Sequence, residues 1–92
     1  MPKIAVYKYF TFFIYAYDAL HEPPHLHIAH VKKSRQNSAK IWLETLIFSH
    51  HGTLSRKEMN MACRIIKKNK IILIDYFFAV KREEKIKPIK LH

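Results

Sequence analysis

The sequence is poor in cysteine, glycine and acidic residues, and each scarcity excludes a class of protein. Its single cysteine, Cys63, excludes a disulfide framework or a thiolate zinc cluster within one chain. No P-loop, Rossmann fingerprint or nucleophile elbow is present around the single glycine, Gly52. The longest near-apolar runs, Phe10–Tyr17 and Ile71–Val80, are far shorter than the roughly 20 residues that span a bilayer. With no secretory signal layout at Met1, these absences predict a cytoplasmic chain without a membrane partner.

The length and composition are those of one small folded domain. Ninety-two residues are enough for one domain and too few for two. The hydrophobic fraction of 49% argues against disorder, because disordered chains combine low hydrophobicity with high charge. We therefore expect a single domain over residues 1–92.

Positive charge is the strongest compositional signal. Seventeen Lys and Arg residues against seven Asp and Glu give a formal net charge of +10. Residues 56–92 hold eleven bases and four acids, a net +7, whereas residues 1–55 hold six and three, a net +3. Such an excess favours binding to nucleic acid or to an acidic protein, and the alternative is an ordinary solvated surface.

Residue patterning predicts an α+β fold, in which a small antiparallel sheet of about four strands precedes two C-terminal helices packed on one face. The sheet is expected over about residues 3–48. Asp18–Pro24 is predicted as a loop because prolines disfavour helix, and Lys32–Ser38 as a hairpin connection. Leu46–Phe48 either extends the last strand or forms a further short one. The four predicted strands are Ile4–Phe10, Phe12–Tyr17, His25–Val31 and Ala39–Glu44.

Two helices are predicted over about residues 55–85, followed by a loose tail at 86–92. Ser55-Arg56-Lys57-Glu58 has the form of a capping box at the first helix start, and Asn69 suits its end. Lys70–Lys85 has strand propensity but no turn signal, which favours a second helix. That helix is apolar around nearly its whole circumference, so we expect a second copy of the chain or another protein to bury its exposed side.

An ordered set of motifs carries a family resemblance. Met1-Pro2-Lys3-Ile4, His21-Glu22-Pro23-Pro24-His25-Leu26-His27, the two C-terminal helices and Lys85-Ile86-Lys87-Pro88 occur in order. This layout resembles the small bacterial domain-of-unknown-function family 4160, which carries the motif D-H-N-P-P-H-F-H. The resemblance implies a compact α+β fold, and members of the family often look like parts of two-gene toxin–antitoxin modules.

The chain departs from that family pattern in several places. Leu20 stands where the family has aspartate, and Glu22 stands where it has asparagine. Lys32–Asn37 replaces a glycine-rich hairpin tip, and Arg64–Lys70 is basic or apolar where the family has acidic residues. These substitutions favour a basic binding surface.

Three histidines near the double proline are the candidates for site chemistry. On a strand, His25 and His27 share a face, and the Pro-Pro turn allows His21 to fold back toward them. Three imidazoles with an open position suit Zn²⁺, with Glu22 as a carboxylate ligand or base. The alternatives are a scaffold role, and acid–base or phosphate-contacting use in a ribonuclease in which His25 or His27 acts. The scaffold role is favoured, so no cofactor is expected and zinc is the alternative.

Basic residues on the hairpin and helices are the candidates for partner binding. A basic surface follows a phosphate backbone, and exposed aromatic rings stack on bases. The candidate rings are Tyr7, Tyr9, Tyr15 and Trp42. The candidate cations are Lys32, Lys33, Arg35, Arg64, Lys67, Lys68, Lys70, Lys81 and Arg82.

The leading hypothesis is therefore a non-enzymatic protein that engages RNA, DNA or a nucleic-acid enzyme, with RNA or a ribonucleoprotein favoured. One form of it is an inhibitor encoded on a mobile element, for example of a CRISPR effector. The alternative is a toxin–antitoxin component, either a His- or metal-dependent ribonuclease toxin or its protein-binding partner.

Overall fold

The structure is a computed structural model that describes residues 3–30 and 38–92. In these residues, a largely antiparallel sheet is combined with three helices, so the predicted α+β class is confirmed. The sheet has six strands rather than about four. The elements are β1 (Lys3–Tyr7), β2 (Phe10–Phe13), α1 (Ala16–His21), β3 (His25–His30), β4 (Ala39–Trp42), β5 (Phe48–His50), α2 (Arg56–Lys68), α3 (Lys70–Lys81) and β6 (Ile89–Lys90).

The sheet has the strand order β5-β4-β3-β2-β1-β6. Its neighbouring strands pair antiparallel, except that β6 runs parallel to β1. In the centre, Phe13 pairs with His27, and His27 with Lys40. Because side chains alternate along a strand, this register sends these three residues to one face of the sheet.

The opposite sheet face is part of the hydrophobic core. Leu26 and Ile28 of β3 are fully buried there and alternate along the strand with His25 and His27. Burying large apolar side chains is the main stabilising contribution in a domain of this size. The same core cluster includes Phe12 and Ile41 of the sheet, Ala62, Ile65 and Ile66 of α2, and Leu73, Phe77 and Val80 of α3.

Helix α2 begins as its sequence predicts. The Ser55 hydroxyl accepts a hydrogen bond from the Glu58 N–H at 3.1 Å, and Glu58 Oε1 accepts one from the Ser55 N–H at 2.9 Å. This capping box satisfies two backbone donors that a helix start otherwise leaves unpaired. Asn69 ends the helix, and Lys70 begins α3, so the predicted second helix is confirmed, although it ends at Lys81 rather than near residue 85. No helix of the described residues has the length and apolar character that a membrane crossing requires.

The first two predicted strands are too long. The chain reverses at Lys8 and Tyr9, so β1 ends at Tyr7 and β2 covers Phe10–Phe13. Lys8 has φ of 52°, in the left-handed region that glycine usually occupies. A lysine in this conformation gives no turn signal, which explains why the sequence pattern appeared continuous.

The predicted loop Asp18–Pro24 contains most of a short helix. Helix α1 covers Ala16–His21, where the end of the second strand was also predicted. Both prolines lie beyond its last residue, and Glu22 is extended, with φ of −129° and ψ of 157°, as the residue before a proline prefers. The prolines therefore end this helix rather than exclude it.

The C-terminal tail, predicted to be loose, is bound to the sheet. Ile89 of β6 pairs with Ala5 of β1, and the Leu91 N–H donates a hydrogen bond to the Val6 carbonyl at 2.8 Å. The Leu91 side chain is only 4% exposed. A strand of two residues is too short to show a pattern in the sequence, because its order comes from pairing with the partner strand.

Candidate functional site

The exposed face of α2 is basic along its whole length. Its fully exposed residues are five cations and one asparagine, with no acidic residue among them. Residues three or four positions apart share one side of a helix, which places them opposite the buried Ala62, Ile65 and Ile66. The exposed set is Arg56, Lys57, Asn60, Arg64, Lys67 and Lys68.

A groove separates this helix face from the β1–β2 turn. It has a volume of about 540 Å³ and a lining without any carboxylate. A second hollow of about 200 Å³ shares Tyr7, Met61 and Arg64 with it and extends to Lys68 and His92. The two together form one surface, the basic groove. The residues that line the larger part are Tyr7, Lys8, Arg56, Lys57, Asn60, Met61 and Arg64.

The charges of the basic groove are not neutralised by ion pairs. Among the described residues, the salt bridges of lysine and arginine join Lys40 to Glu22 and Arg82 to Glu84. Neither pair lies in the groove lining. Its cations therefore remain available to an external anion.

The predicted cations separate into distinct groups. Arg64 and Lys68 line the basic groove, and Lys67 lies beside Lys68 in an adjoining hollow. Lys70 also borders that hollow, but its Nζ donates a hydrogen bond to the Glu44 carbonyl at 3.0 Å. Arg64, Lys67 and Lys68 therefore lie close together, whereas Lys70 is partly held by the loop before β5.

Lys81 and Arg82 lie at the far end of α3 and do not line the basic groove. Arg82 donates hydrogen bonds to Glu84 at 2.6 and 3.4 Å, which raise the pKa of Arg82 and lower the pKa of Glu84. Lys81 Nζ lies 6.0 Å from the Phe78 ring centroid. The predicted hairpin cations Lys32, Lys33 and Arg35 lie outside the described residues.

Several groove residues were not predicted from the sequence. Arg56 and Lys57 lie within the capping-box motif, a pattern that indicates a helix start rather than a binding surface. Lys57 precedes Arg64 by two helical turns and so shares its face, which was a usable signal. The position of Lys8 in the groove depends on a turn that the sequence pattern does not predict. The position of His92 depends on the tail, which was predicted to be loose. Tyr7, one of the predicted stacking rings, does line the groove.

A second site lies where α1 meets the start of β3. Asp18 Oδ2 is 3.3 Å from His27 Nε2 and 3.8 Å from His25 Nε2, and the three ligand atoms all lie within 4.8 Å of one another. These residues form the histidine cluster. His21 is not among them, because it is exposed and its ring packs on Tyr17 at 4.5 Å.

The catalytic candidate Glu22 is also engaged elsewhere. Its carboxylate pairs with Lys40, whose Nζ lies 4.6 Å from the Trp42 ring centroid. Asp18 takes the carboxylate position that Glu22 was expected to fill. Sequence reasoning missed Asp18 because it lies on α1, which was predicted as a loop.

Aromatic rings enclose the histidine cluster. The His27 ring stacks on Phe13 at 5.4 Å and meets the edge of Tyr15 at 4.7 Å. The His25 ring lies 5.7 Å from Trp42 and 5.4 Å from Phe77. Burial lowers the pKa of His27 and outweighs the hydrogen bond to Asp18, which raises it. His27 is therefore a neutral imidazole at neutral pH.

Helix α3 keeps some of its apolar surface exposed. Ile71, Ile72 and Phe78 are exposed, as are Tyr17 and Leu20 on the neighbouring α1. Exposed apolar residues of this size favour association. A homodimer through α3 stays a prediction, which light scattering of the purified chain tests directly.

The chain belongs to the family described as "Domain of unknown function (DUF4160)", whose family model matches residues 10–77, well over half of the sequence. The resemblance carried by the Pro-Pro-His-x-His motif is thereby confirmed. No curated protein and no solved structure matches the chain.

Proposed function

We propose that this member of the DUF4160 family binds single-stranded RNA in its basic groove. The observation that carries the proposal is the lining of that groove, in which five Lys and Arg residues surround an aromatic ring without any Asp or Glu side chain. Phosphate contacts by such cations release counterions and supply most of the affinity for a nucleic acid.

The position of Tyr7 favours unpaired bases over a duplex. Its half-buried ring lies among the groove cations, and Lys8 Nζ is 5.5 Å from its centroid. A ring in a basic groove stacks on a splayed base while the cations hold the backbone, and a paired base offers no free face for such stacking. The combination of ring and cations therefore supports single-stranded RNA more than an acidic protein surface.

Two matched charge-reversal variants test the proposal. Arg64→Glu/Lys68→Glu alters the basic groove, whereas Lys85→Glu/Lys87→Glu alters exposed lysines outside its lining. Each reversal removes two charges, so both double variants carry +6 instead of +10. Fluorescence anisotropy with a labelled single-stranded RNA of mixed sequence measures the affinity at several salt concentrations.

We expect the groove variant to bind at least about tenfold more weakly and the control variant to change by less than about threefold. The slope of log affinity against log salt should fall by about 1.4 in the groove variant, since each lost phosphate contact contributes about 0.7 for a single strand. Equal losses in both variants would mean that net charge alone attracts RNA. Absence of RNA binding in the wild type would favour an acidic protein partner, such as a nucleic-acid enzyme.

The inhibitor and toxin–antitoxin hypotheses stay predictions. Both are compatible with an RNA-binding groove, since either kind of protein engages nucleic acid or an enzyme that acts on it. A functional assay that compares the groove variant with its control is the next step for each.

A further inference from the structure

We propose that the histidine cluster is a Zn²⁺ site, with Asp18 Oδ2, His25 Nε2 and His27 Nε2 as ligands and a fourth position open toward solvent. This site is separate from the basic groove and shares no residue with it. Zn²⁺ binding at this site is therefore independent of RNA binding in the groove.

The distances from Asp18 to the two histidines are close to those of a tetrahedral ion. With bonds of about 2.0–2.1 Å to nitrogen and oxygen, neighbouring ligand atoms of a tetrahedral site lie about 3.3–3.4 Å apart. Asp18 Oδ2 lies 3.3 Å from His27 Nε2 and 3.8 Å from His25 Nε2. All three ligand atoms lie within 4.8 Å of one another, so the two imidazole nitrogens must approach each other by up to about 1.4 Å to share one tetrahedral ion.

His25 provides an independent observation that points to a ligand. Its Nδ1 lies 2.9 Å from the Pro23 carbonyl, which only accepts, so Nδ1 carries the proton. In the neutral ring Nε2 is then a lone-pair acceptor, and in the described structure this atom is buried without a hydrogen-bond partner. The His25 side chain is 0% exposed, and its Nε2 faces the Asp18 carboxylate. An unpaired buried acceptor next to a carboxylate is costly, and a cation between them removes that cost.

Both histidines have the outer partners that zinc-binding histidines usually have. A metal-bound imidazole donates its second N–H to a carbonyl, carboxylate or other oxygen, which fixes the orientation of the ring. For His25 this partner is the Pro23 carbonyl, which precedes the first strand residue by two positions. For His27 it is the buried Ser38 hydroxyl, 3.5 Å from Nδ1. Metal binding requires the ring proton to move to Nδ1 from Nε2, where it makes the hydrogen bond to Asp18 in the metal-free protein.

The donor set selects zinc over the hard cations. Two imidazoles and one carboxylate suit zinc, whereas Mg²⁺ and Ca²⁺ prefer oxygen ligands throughout. The Asp18 side chain is 24% exposed while the histidine side chains are 0% and 8% exposed, so an ion enters from the Asp18 side. Three protein ligands with an accessible fourth position are the arrangement that holds a water on the metal.

The nearby lysine does not oppose a second cation strongly. Lys40 pairs with His27 across the β3–β4 register, but its ammonium group is held by the Glu22 carboxylate. The positive charge of Lys40 still lowers the pKa of His27, but it is the smallest of the influences on that pKa. Asp18 therefore supplies an uncompensated negative charge for the metal.

Metal titration of the full-length, chelator-treated protein tests the site. Zn²⁺ alone is titrated in competition with a chromophoric chelator, and Co²⁺ alone is titrated while visible absorption reports four-coordinate geometry. Asp18→Asn keeps the side-chain shape but removes the charged ligand. His21→Ala is the matched control, because His21 belongs to the same motif but lies outside the cluster.

We expect one equivalent of Zn²⁺ and four-coordinate cobalt bands in the wild type and in His21→Ala. Asp18→Asn should bind Zn²⁺ more than about 100-fold more weakly, and Ser38→Ala about tenfold more weakly, as outer partners typically do. Should Asp18→Asn fail to fold, as judged by circular dichroism, the wild-type cobalt spectrum decides. Substoichiometric zinc in the wild type, octahedral cobalt, or equal loss in His21→Ala overturns the proposal.

Discussion

The basic groove and the histidine cluster both concentrate polar chemistry, but they relate to the core in opposite ways. The groove cations on α2 are exposed, and none forms an ion pair within the described chain. The cluster residues are packed among aromatic rings, and His25 is fully buried. We therefore expect a charge change in the groove to affect the proposed RNA binding more than folding, and a change in the cluster to alter the core itself.

This difference explains why the two sites use different residue types. Long flexible cations suit a surface that follows a polymer, because each contact is weak and replaceable. Imidazoles suit an enclosed position, because a neutral ring tolerates burial and still offers a directed lone pair. We therefore expect the groove surface to tolerate substitutions that the buried cluster does not.

The largest expected effect tests whether the cluster is part of the core. Phe77→Ala removes a fully buried ring that packs on His25, so we expect the free energy of unfolding to fall by about 3–5 kcal/mol. Denaturant titration measures this loss. Phe78→Ala is the control, since its ring is 37% exposed and its loss should cost about 1 kcal/mol or less. Similar losses for both would place the cluster outside the core.

A smaller effect is expected when metal is removed. At a free Zn²⁺ concentration of 100 times the Kd, binding to the folded state adds about 2.7 kcal/mol to the free energy of unfolding. Chelation should remove this contribution and leave RNA affinity within about twofold, because the groove and the cluster share no residue. Thermal unfolding and RNA anisotropy, measured on the same samples, check both statements. A large fall in RNA affinity on chelation would show that the two sites are coupled.

The smallest effect concerns the helix start that carries two groove cations. Ser55→Ala removes the cap of α2 and should cost about 1 kcal/mol of stability. Fraying of the first turn also displaces Arg56 and Lys57, so RNA affinity should fall about two- to threefold. Circular dichroism melts and RNA anisotropy measure the two changes. Ser49→Ala, at an exposed position in β5, should alter neither.

Local signals in the sequence were enough to predict part of the fold and some residues of each site. The capping box at Ser55, the end at Asn69 and the apolar stripe predicted α2, because these signals act within a few residues. Strand alternation correctly placed His25 and His27 on one face. Local charge also identified Arg64 and Lys68 as candidate binding residues, and both line the basic groove.

The remaining features depend on contacts between distant parts of the chain. Asp18 joins the cluster only because α1 forms, and that helix is short and ends at two prolines. Lys8 faces α2 only because a lysine adopts a left-handed turn. His92 reaches the basic groove because β6 pairs with β1. Tertiary packing decides these positions, and a single sequence carries little trace of it.

The pairing of β6 with β1 has a consequence for how the protein is made. Ala5 and Ile89 are paired in the sheet although most of the chain separates them. During synthesis, β1 therefore leaves the ribosome long before the strand that covers its edge. An uncovered edge is a template for pairing with another chain, so nascent molecules are most prone to aggregate in this interval. The sheet is therefore completed late in folding. The same step places His92 in the lining of the basic groove.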